Sequence, residues 1–138
     1  MRSALRSIAA VAAGFIAASI VMMIIETING RILYPELAKA ADGVTDRETI
    51  RALLATAPVG AFLVVLVGWI LGGVAGGWAT ARLAAQATAG HGLVLGALLV
   101  LAGVANNLMI PPPPWFWIAS LVVLMPAAYV GARLAPAR

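Results

Sequence analysis

The residues whose chemistry stands out are one carboxylate and three amides embedded in apolar sequence. Glu26 and Asn29 follow a stretch without charges, 7–25, and the adjacent pair Asn106 and Asn107 lies inside a second one, 83–132. A carboxylate in such surroundings is costly unless it faces protein, water or a bound cation or proton. Amides there hydrogen-bond between helices or contact a ligand. These four side chains form the candidate polar site of the chain.

Three roles for Glu26 stay open on the sequence alone. If the first helix continues past residue 25, Glu26, Asn29 and Leu33 share one helix face, because they are spaced three or four apart. Glu26 is then the carboxylate of a buried site for a cation or proton, or it pairs with Arg31 or Arg51. The third role is an interfacial side chain that reaches water at the outer end of the helix.

Aromatic residues fall at the same predicted level as this site. Tyr34 follows the first polar stretch, and Trp115, Phe116 and Trp117 follow the four prolines at 111–114. Amphipathic rings are typical of the membrane interface, and we interpret this group mainly as an aromatic belt. The candidate ligand-binding residues are Glu26, Asn29, Tyr34, Asn106, Asn107 and Trp115.

The sequence offers no pattern for catalysis or metal binding. It has no cysteine and one histidine, His91, with no acidic pair or thiol nearby to complete a metal site. His91 is either a solvated boundary residue or a titratable group in a proton path. We therefore expect no catalytic residue, no metal and no cofactor.

The composition indicates that these residues belong to a membrane protein. The chain is 63% hydrophobic and 10% charged, whereas about 25% of residues are charged in soluble domains. The stretch 83–132 is long enough for two spans, and its four prolines mark the division. We predict an all-α fold with a single transmembrane domain over 1–138. It is a four-transmembrane-helix bundle with spans near 5–33, 57–84, 90–110 and 115–134.

The distribution of Lys and Arg predicts the orientation of the chain. With the N-terminus inside, the inner side holds Arg2, Arg6, Arg82, Arg133 and Arg138, and the outer side holds Arg31, Lys39, Arg47 and Arg51. This small bias favours a multi-pass protein of the bacterial inner membrane with both termini in the cytoplasm, and it leaves dual topology open. Scattered basic residues are typical of lipid anchors, so the expected partner is the bilayer and not nucleic acid.

The outer loop near 35–57 is the one substantial segment outside the spans. Asp42 and Gly43 predict a turn. Thr45 followed by Glu48 predicts a capping box that opens a short amphipathic helix at Asp46. That helix either ends before the second span or continues into it with a kink at Pro58.

Glycines four residues apart predict close helix packing. The second span contains Gly68, Gly72, Gly73, Gly76 and Gly77, and the third contains Gly92 and Gly96. The partner of the glycine-rich face is a helix of the same chain, a second copy in a homo-oligomer, or a ligand.

The two hairpins show a weak internal similarity. Asn29 precedes Pro35 by six residues, Asn106 precedes Pro112 by six, and the tetrad ARLA ends both hairpins at 81–84 and 132–135. This pattern predicts two hairpin pseudo-repeats, with chance similarity in Ala/Leu-rich sequence as the alternative.

These features together resemble a type of small bacterial four-helix integral membrane protein that has no assigned activity. The chain is more loosely similar to the small multidrug-resistance exporters, which also have four helices, a glutamate in the first and a glycine-rich helix. Glu26 lies nearer a helix end than in those exporters, and the outer loop and tetraproline are foreign to them. We expect a packing, scaffold or assembly component. The alternatives are a transporter or channel subunit with a polar outer site around Glu26, and a membrane-embedded enzyme.

Overall fold

The computed structural model of the protein describes residues 1–84 and 89–136. Within them the chain forms α-helices and no strand, which confirms the all-α prediction. The helices are α1 (Arg2–Ile28), α2 (Pro35–Ala41), α3 (Arg47–Ala55), α4 (Val59–Leu83), α5 (Ala89–Met109) and α6 (Pro114–Leu134). Arg138, counted above on the inner side, lies outside the described residues.

Four of these helices are long and apolar enough to cross a membrane: α1 with its extension to Leu33, α4, α5 and α6. The predicted helical bundle is confirmed. The prolines at 111–114 separate α5 from α6, because they lack backbone donors and cannot continue a helix. The last of them, Pro114, occupies the first turn of α6, where a missing N–H costs nothing. The chain is a multi-pass membrane protein. We call the end of the bundle that carries α2 and α3 the outer end.

A π-helical turn, Asn29–Leu33, extends α1 at the outer end. The Tyr34 N–H donates to the Asn29 carbonyl oxygen at 2.8 Å, an i+5 bond in place of the usual i+4 bond. The helical run therefore continues for seven residues beyond Glu26. At about 1.5 Å per residue, Glu26 lies about 10 Å below the end of the run.

The outer loop contains two short helices instead of the one that we predicted. The predicted capping box at Thr45 is wrong by one residue, because Asp46 caps α3. The Asp46 carboxylate accepts from the Thr49 N–H at 2.8 Å and from the Thr49 hydroxyl at 2.7 Å. These bonds hold the pKa of the Asp46 carboxyl below its ordinary value. Helix α3 ends at Ala55, so it does not continue into the second span.

The centre of the bundle is α4, which packs tightly against α1 and α6 and less extensively against α5. Its contact with α1 depends on glycine. A Cβ added at Gly72 would lie 2.9 Å from the Ala18 carbonyl oxygen, and one added at Gly76 would lie 2.6 Å from the Gly14 carbonyl oxygen. These distances are too short for any side chain, so the two backbones meet directly.

The remaining predicted packing glycines also lie at contacts within the chain. Gly68 faces Ile25 of α1, Gly73 and Gly77 face Ala127 and Ala128 of α6, and Gly92 and Gly96 of α5 face Ala132 and Met125 of α6. The glycine-rich face of α4 is therefore filled by α1 and α6. A second copy of the chain would have to contact another surface.

The weak contact of the bundle is the one between α1 and α5. Helix α1 packs mainly on α4 and touches α5 only slightly. Only 17% of its most apolar segment is buried, against 33–39% for the other three long helices. A cleft consequently lies between α1 and α5, with α4 behind it.

Candidate functional site

The Glu26 carboxylate faces this cleft from α1. It accepts a hydrogen bond from the indole N–H of Trp69, with 3.2 Å between Trp69 Nε1 and Glu26 Oε1. Trp69 is buried and lies ten residues into α4, about 15 Å from the outer end of that helix. Glu26 is thus held beside Trp69, seven residues before the end of the helical run at Leu33, and it remains exposed at the bundle surface.

Neither predicted ion pair of Glu26 occurs in the described part of the chain. Arg51 lies 3.8 Å from Glu48 on α3, and the other ion pair joins Lys39 to Glu36. Trp69 supplies a neutral donor but no compensating charge. The carboxylate therefore lacks a cationic partner among residues 1–84 and 89–136.

Asn29 lies at the start of the π-helical turn, and its side chain is buried between α1 and α4. Its amide nitrogen donates to the Ala61 carbonyl oxygen at 3.0 Å. Its amide oxygen, Oδ1, is buried without a hydrogen-bond donor. A buried acceptor of this kind is uncommon in proteins, because it has lost its hydrogen bonds to water and has no protein donor to replace them.

Asn107 occupies the corresponding place on the other hairpin, near the outer end of α5. Its side chain is fully buried, and its amide nitrogen donates to the Ser120 hydroxyl of α6 at 3.1 Å. Its Oδ1 is also buried without a donor. The predicted repeat paired Asn29 with Asn106, whereas Asn107 is the residue that donates to the next helix of its hairpin. The repeat itself stays a prediction.

Two cavities meet at Glu26 and Asn106. The outer cavity, of about 250 Å³, is lined by Glu26 and the three asparagines, by Tyr34, by Phe62 and Phe116, and by residues of α2, α3 and the tetraproline loop that cover it. The deep cavity, of about 220 Å³, is lined by Glu26, Asn106, Ser19 and Trp69 among apolar residues of α1, α5 and α6. Glu26 and Asn106 are the two polar side chains common to both.

The aromatic residues form a cluster behind the outer cavity. Phe62 lies 5.4 Å from Phe116 between ring centroids, and Trp69 lies 5.9 Å from Phe116. Trp115, a predicted ligand residue, packs edge-on against Phe62 at 5.8 Å and lines neither of the two cavities. Tyr34 does line the outer cavity. Five of the six candidate residues therefore share one cavity, and Trp115 supports it from behind.

Two residues of this region escaped the sequence analysis. Trp69 was passed over because it stands inside the glycine-rich stretch, yet a tryptophan in an apolar helix needs a partner for its N–H, which is a usable signal. Ser120 gives no signal in the sequence, because its role in orienting Asn107 depends on the position of α6.

The inner end of the bundle holds further polar contacts. His91 Nε2 lies 3.1 Å from the Ser7 hydroxyl, and the Arg6 Nε–H donates to the Leu83 carbonyl oxygen at 3.1 Å. The Arg82 guanidinium lies 5.6 Å from the Trp78 ring centroid. None of these groups reaches the two cavities. Across the described ranges, no three His, Cys, Asp or Glu side chains cluster to hold a metal.

Comparisons with known proteins leave the site to be interpreted from its geometry. No family model, no curated protein and no solved structure matches the chain. The arrangement itself combines one carboxylate, two amide oxygens without donors and an aromatic wall, and it opens sideways between α1 and α5.

Proposed function

We propose that this protein is a membrane-embedded binding protein for amphipathic organic cations, which enter sideways through the cleft between α1 and α5. The observation that carries the proposal is the Glu26 carboxylate at the junction of two cavities, without a cationic partner among the described residues. The cation would serve as that partner.

The charge of Glu26 is the first argument. Glu26 belongs to a membrane-spanning run, and carboxylates in such segments are found paired or in functional sites. The single neutral hydrogen bond from Trp69 leaves most of the acceptor capacity of the carboxylate unused. A bound cation restores the missing charge, and an anionic or neutral ligand does not.

The shape of the cleft is the second argument. The outer cavity is covered by α2, α3 and the tetraproline loop, so the side between α1 and α5 is the more open approach. The lining of the deep cavity is mainly apolar, including Phe15, Met22 and Leu99. A ligand with a charged head and an apolar body fits both compartments, with the charge at Glu26.

The other expected functions have weaker support. A scaffold that assembles through the glycines of α4 would need a face that α1 and α6 already fill. Catalysis lacks a nucleophile with a base at the two cavities, because the contact between Ser7 and His91 lies at the inner end of the bundle. A transport subunit remains compatible with the proposal, and the loose similarity to small multidrug-resistance exporters supports it. Because the inner half is closely packed, passage across the membrane would require a conformational change or a partner.

Tryptophan fluorescence tests this function. In a variant that keeps only Trp69, with Trp78, Trp115 and Trp117 changed to Phe, octylammonium should quench or shift the emission in a saturable way. Octanol, which has the same chain length without the charge, should not. Glu26→Gln in that background should weaken octylammonium binding at least about tenfold, since it removes the charge partner.

The matched control is Glu36→Gln, because Glu36 is an exposed carboxylate on α2 paired with Lys39. It should leave binding unchanged. Equal responses to octylammonium and octanol, or an unaffected Glu26→Gln variant, would contradict the proposed function.

We also propose that the outer end faces the periplasm of a bacterial inner membrane, with both termini in the cytoplasm. The bias of Lys and Arg supports this orientation. Single cysteines introduced at Asp42 and Ser3 would test it with an impermeant thiol reagent on intact cells. Labelling at position 42 alone is expected. Labelling at position 3 alone would reverse the assignment, and labelling at both would indicate dual topology.

A further inference from the structure

We infer that the outer cavity selects primary ammonium groups over quaternary ones, through the amide oxygens of Asn29 and Asn107 together with Glu26. This inference rests on the proposed function and narrows its ligand class to primary alkylamines. It depends on two buried amide oxygens that belong to residues lining one cavity, and neighbouring groups fix the orientation of each amide.

The orientation of the Asn29 amide is determined by Ala61. A carbonyl oxygen can only accept, so the atom 3.0 Å from it must be the amide nitrogen. The amide oxygen then lies on the opposite side of the group, where no donor reaches it. Turning the amide over would place two acceptors in contact.

The orientation of the Asn107 amide is determined by a chain of two bonds. The Ser120 hydroxyl donates to the Trp117 carbonyl oxygen at 3.3 Å, which uses its only proton. It must therefore accept from the Asn107 amide nitrogen at 3.1 Å. The Asn107 oxygen is again left without a donor.

Both asparagines line the outer cavity, and they approach it from different hairpins. Asn29 belongs to the wall formed by α1 and α4, and Asn107 belongs to the wall formed by α5 and α6. Glu26 lines the same cavity one helical turn before Asn29. Three side chains with unused acceptor capacity thus line one cavity, and a buried acceptor without a donor is costly.

A primary ammonium is the group whose chemistry matches this set. It carries three N–H donors and one positive charge, which match in number and charge the two amide oxygens and the carboxylate. A quaternary ammonium supplies the charge but no donor, which leaves both amide oxygens unsatisfied. Water supplies donors but no charge for Glu26.

A metal cation fits this cavity less well than an ammonium does. Hard cations take six or more oxygen ligands at short range, and the described lining offers one carboxylate and three amides among apolar and aromatic residues. The volume of about 250 Å³ is also large for a single desolvated ion. Leu37, Phe62 and Phe116 instead suit the carbon chain of an alkylamine.

The test compares two cations of equal chain length in the protein that keeps only Trp69. Octylammonium should bind at least about tenfold more tightly than octyltrimethylammonium, since only the first satisfies the amide oxygens. Asn29→Leu and Asn107→Leu should each reduce the preference for octylammonium several-fold, mainly because they weaken the binding of octylammonium.

The control is Thr80→Val, which removes another buried polar atom without a partner, at the α1–α4 contact away from both cavities. It should leave the preference unchanged. The comparison of the two cations in the parent protein needs no substitution at either asparagine, so misfolding of those variants cannot obscure the result.

Each outcome separates this inference from the proposed function. Equal binding of both cations, with binding still dependent on Glu26, would overturn the inference and leave the function intact. Binding of neither would overturn the function. Competition of sodium chloride with octylammonium, absent with choline chloride, would overturn the inference in favour of a metal cation.

Discussion

The inner and outer halves of this bundle use the same apolar helices in opposite ways. In the inner half, α4 meets α1 at Gly76 and Gly14 and meets α6 at Gly77, with backbones in direct contact. In the outer half, large rings separate the helices and two cavities remain, and the outer one is lined by Asn29 and Asn107, whose amide oxygens lack donors. The difference indicates that the inner half holds the fold together and the outer half carries the candidate site.

The physical basis of the difference is the size of side chains along α4. Glycine lets two helices approach until their backbones touch, and the resulting close contacts replace the hydrophobic drive that lipid does not provide. Phe62 and Trp69 lie toward the outer end of the same helix and cannot approach so closely. The π-helical turn after Ile28 then carries Asn29 against α4.

The largest expected effect comes from filling the inner contact. Gly76→Leu should destabilise the protein by roughly 3 kcal/mol or prevent folding, because the new side chain has no space beside Gly14 and Ala18. Thermal unfolding in one detergent measures this. Leu71→Ala, which trims a half-exposed residue of the same helix, should cost much less. Equal losses of stability in Gly76→Leu and Leu71→Ala would show that the inner contact is not the stabilising one.

A much smaller effect is expected in the outer half. Asn107→Leu removes a buried oxygen that has no donor and keeps a similar side-chain volume. The free energy of unfolding should therefore change by no more than about 1 kcal/mol, in either direction. Ser120 still donates to Trp117 in the variant. Octylammonium should raise the melting temperature of the parent more than that of this variant, because the variant binds it more weakly. A loss of stability as large as that of Gly76→Leu would mean that Asn107 stabilises the fold and is not kept for binding.

The smallest effect is expected at the helical cover of the outer cavity. The Asp46 pKa is lower in the folded protein than its ordinary value of 3.8, because the carboxylate accepts from Thr49. The Asp46 cap therefore contributes its full stabilisation of α3 at pH values above the ordinary pKa. That contribution is lost as the pH falls through the pKa of the folded protein. Asp46→Ala should reduce helicity slightly at neutral pH, measured by circular dichroism.

The same variant should differ little from the parent once the parent carboxyl is protonated. Asp42→Ala serves as the control, because Asp42 follows α2 and caps no helix N-terminus. A helicity difference between Asp46→Ala and the parent that persisted unchanged into strong acid would assign the effect to something other than the charged cap.

The sequence was informative about helices and less so about the loop. The uncharged stretches predict all four long helices, and the prolines at 111–114 predict their division. The cap of α3 was misplaced because Thr45 and Asp46 are both good N-caps, and the choice depends on which oxygen reaches the Thr49 amide. Most candidate site residues are recognisable in the sequence from their polarity alone. Trp69 and Ser120 are not recognisable in this way, since their roles depend on neighbouring helices.

By itself the sequence determined that this chain is an all-helical membrane protein with one polar region near the outer ends of its first and third spans. Hydropathy and proline are local properties, so no tertiary information was needed. Tertiary structure alone decided that the glycines of α4 pack within the chain, that Glu26 accepts from Trp69, and that two residues lining one cavity have amide oxygens without donors. Each of these depends on which helix faces which, and that is set by side-chain volumes summed over several helices.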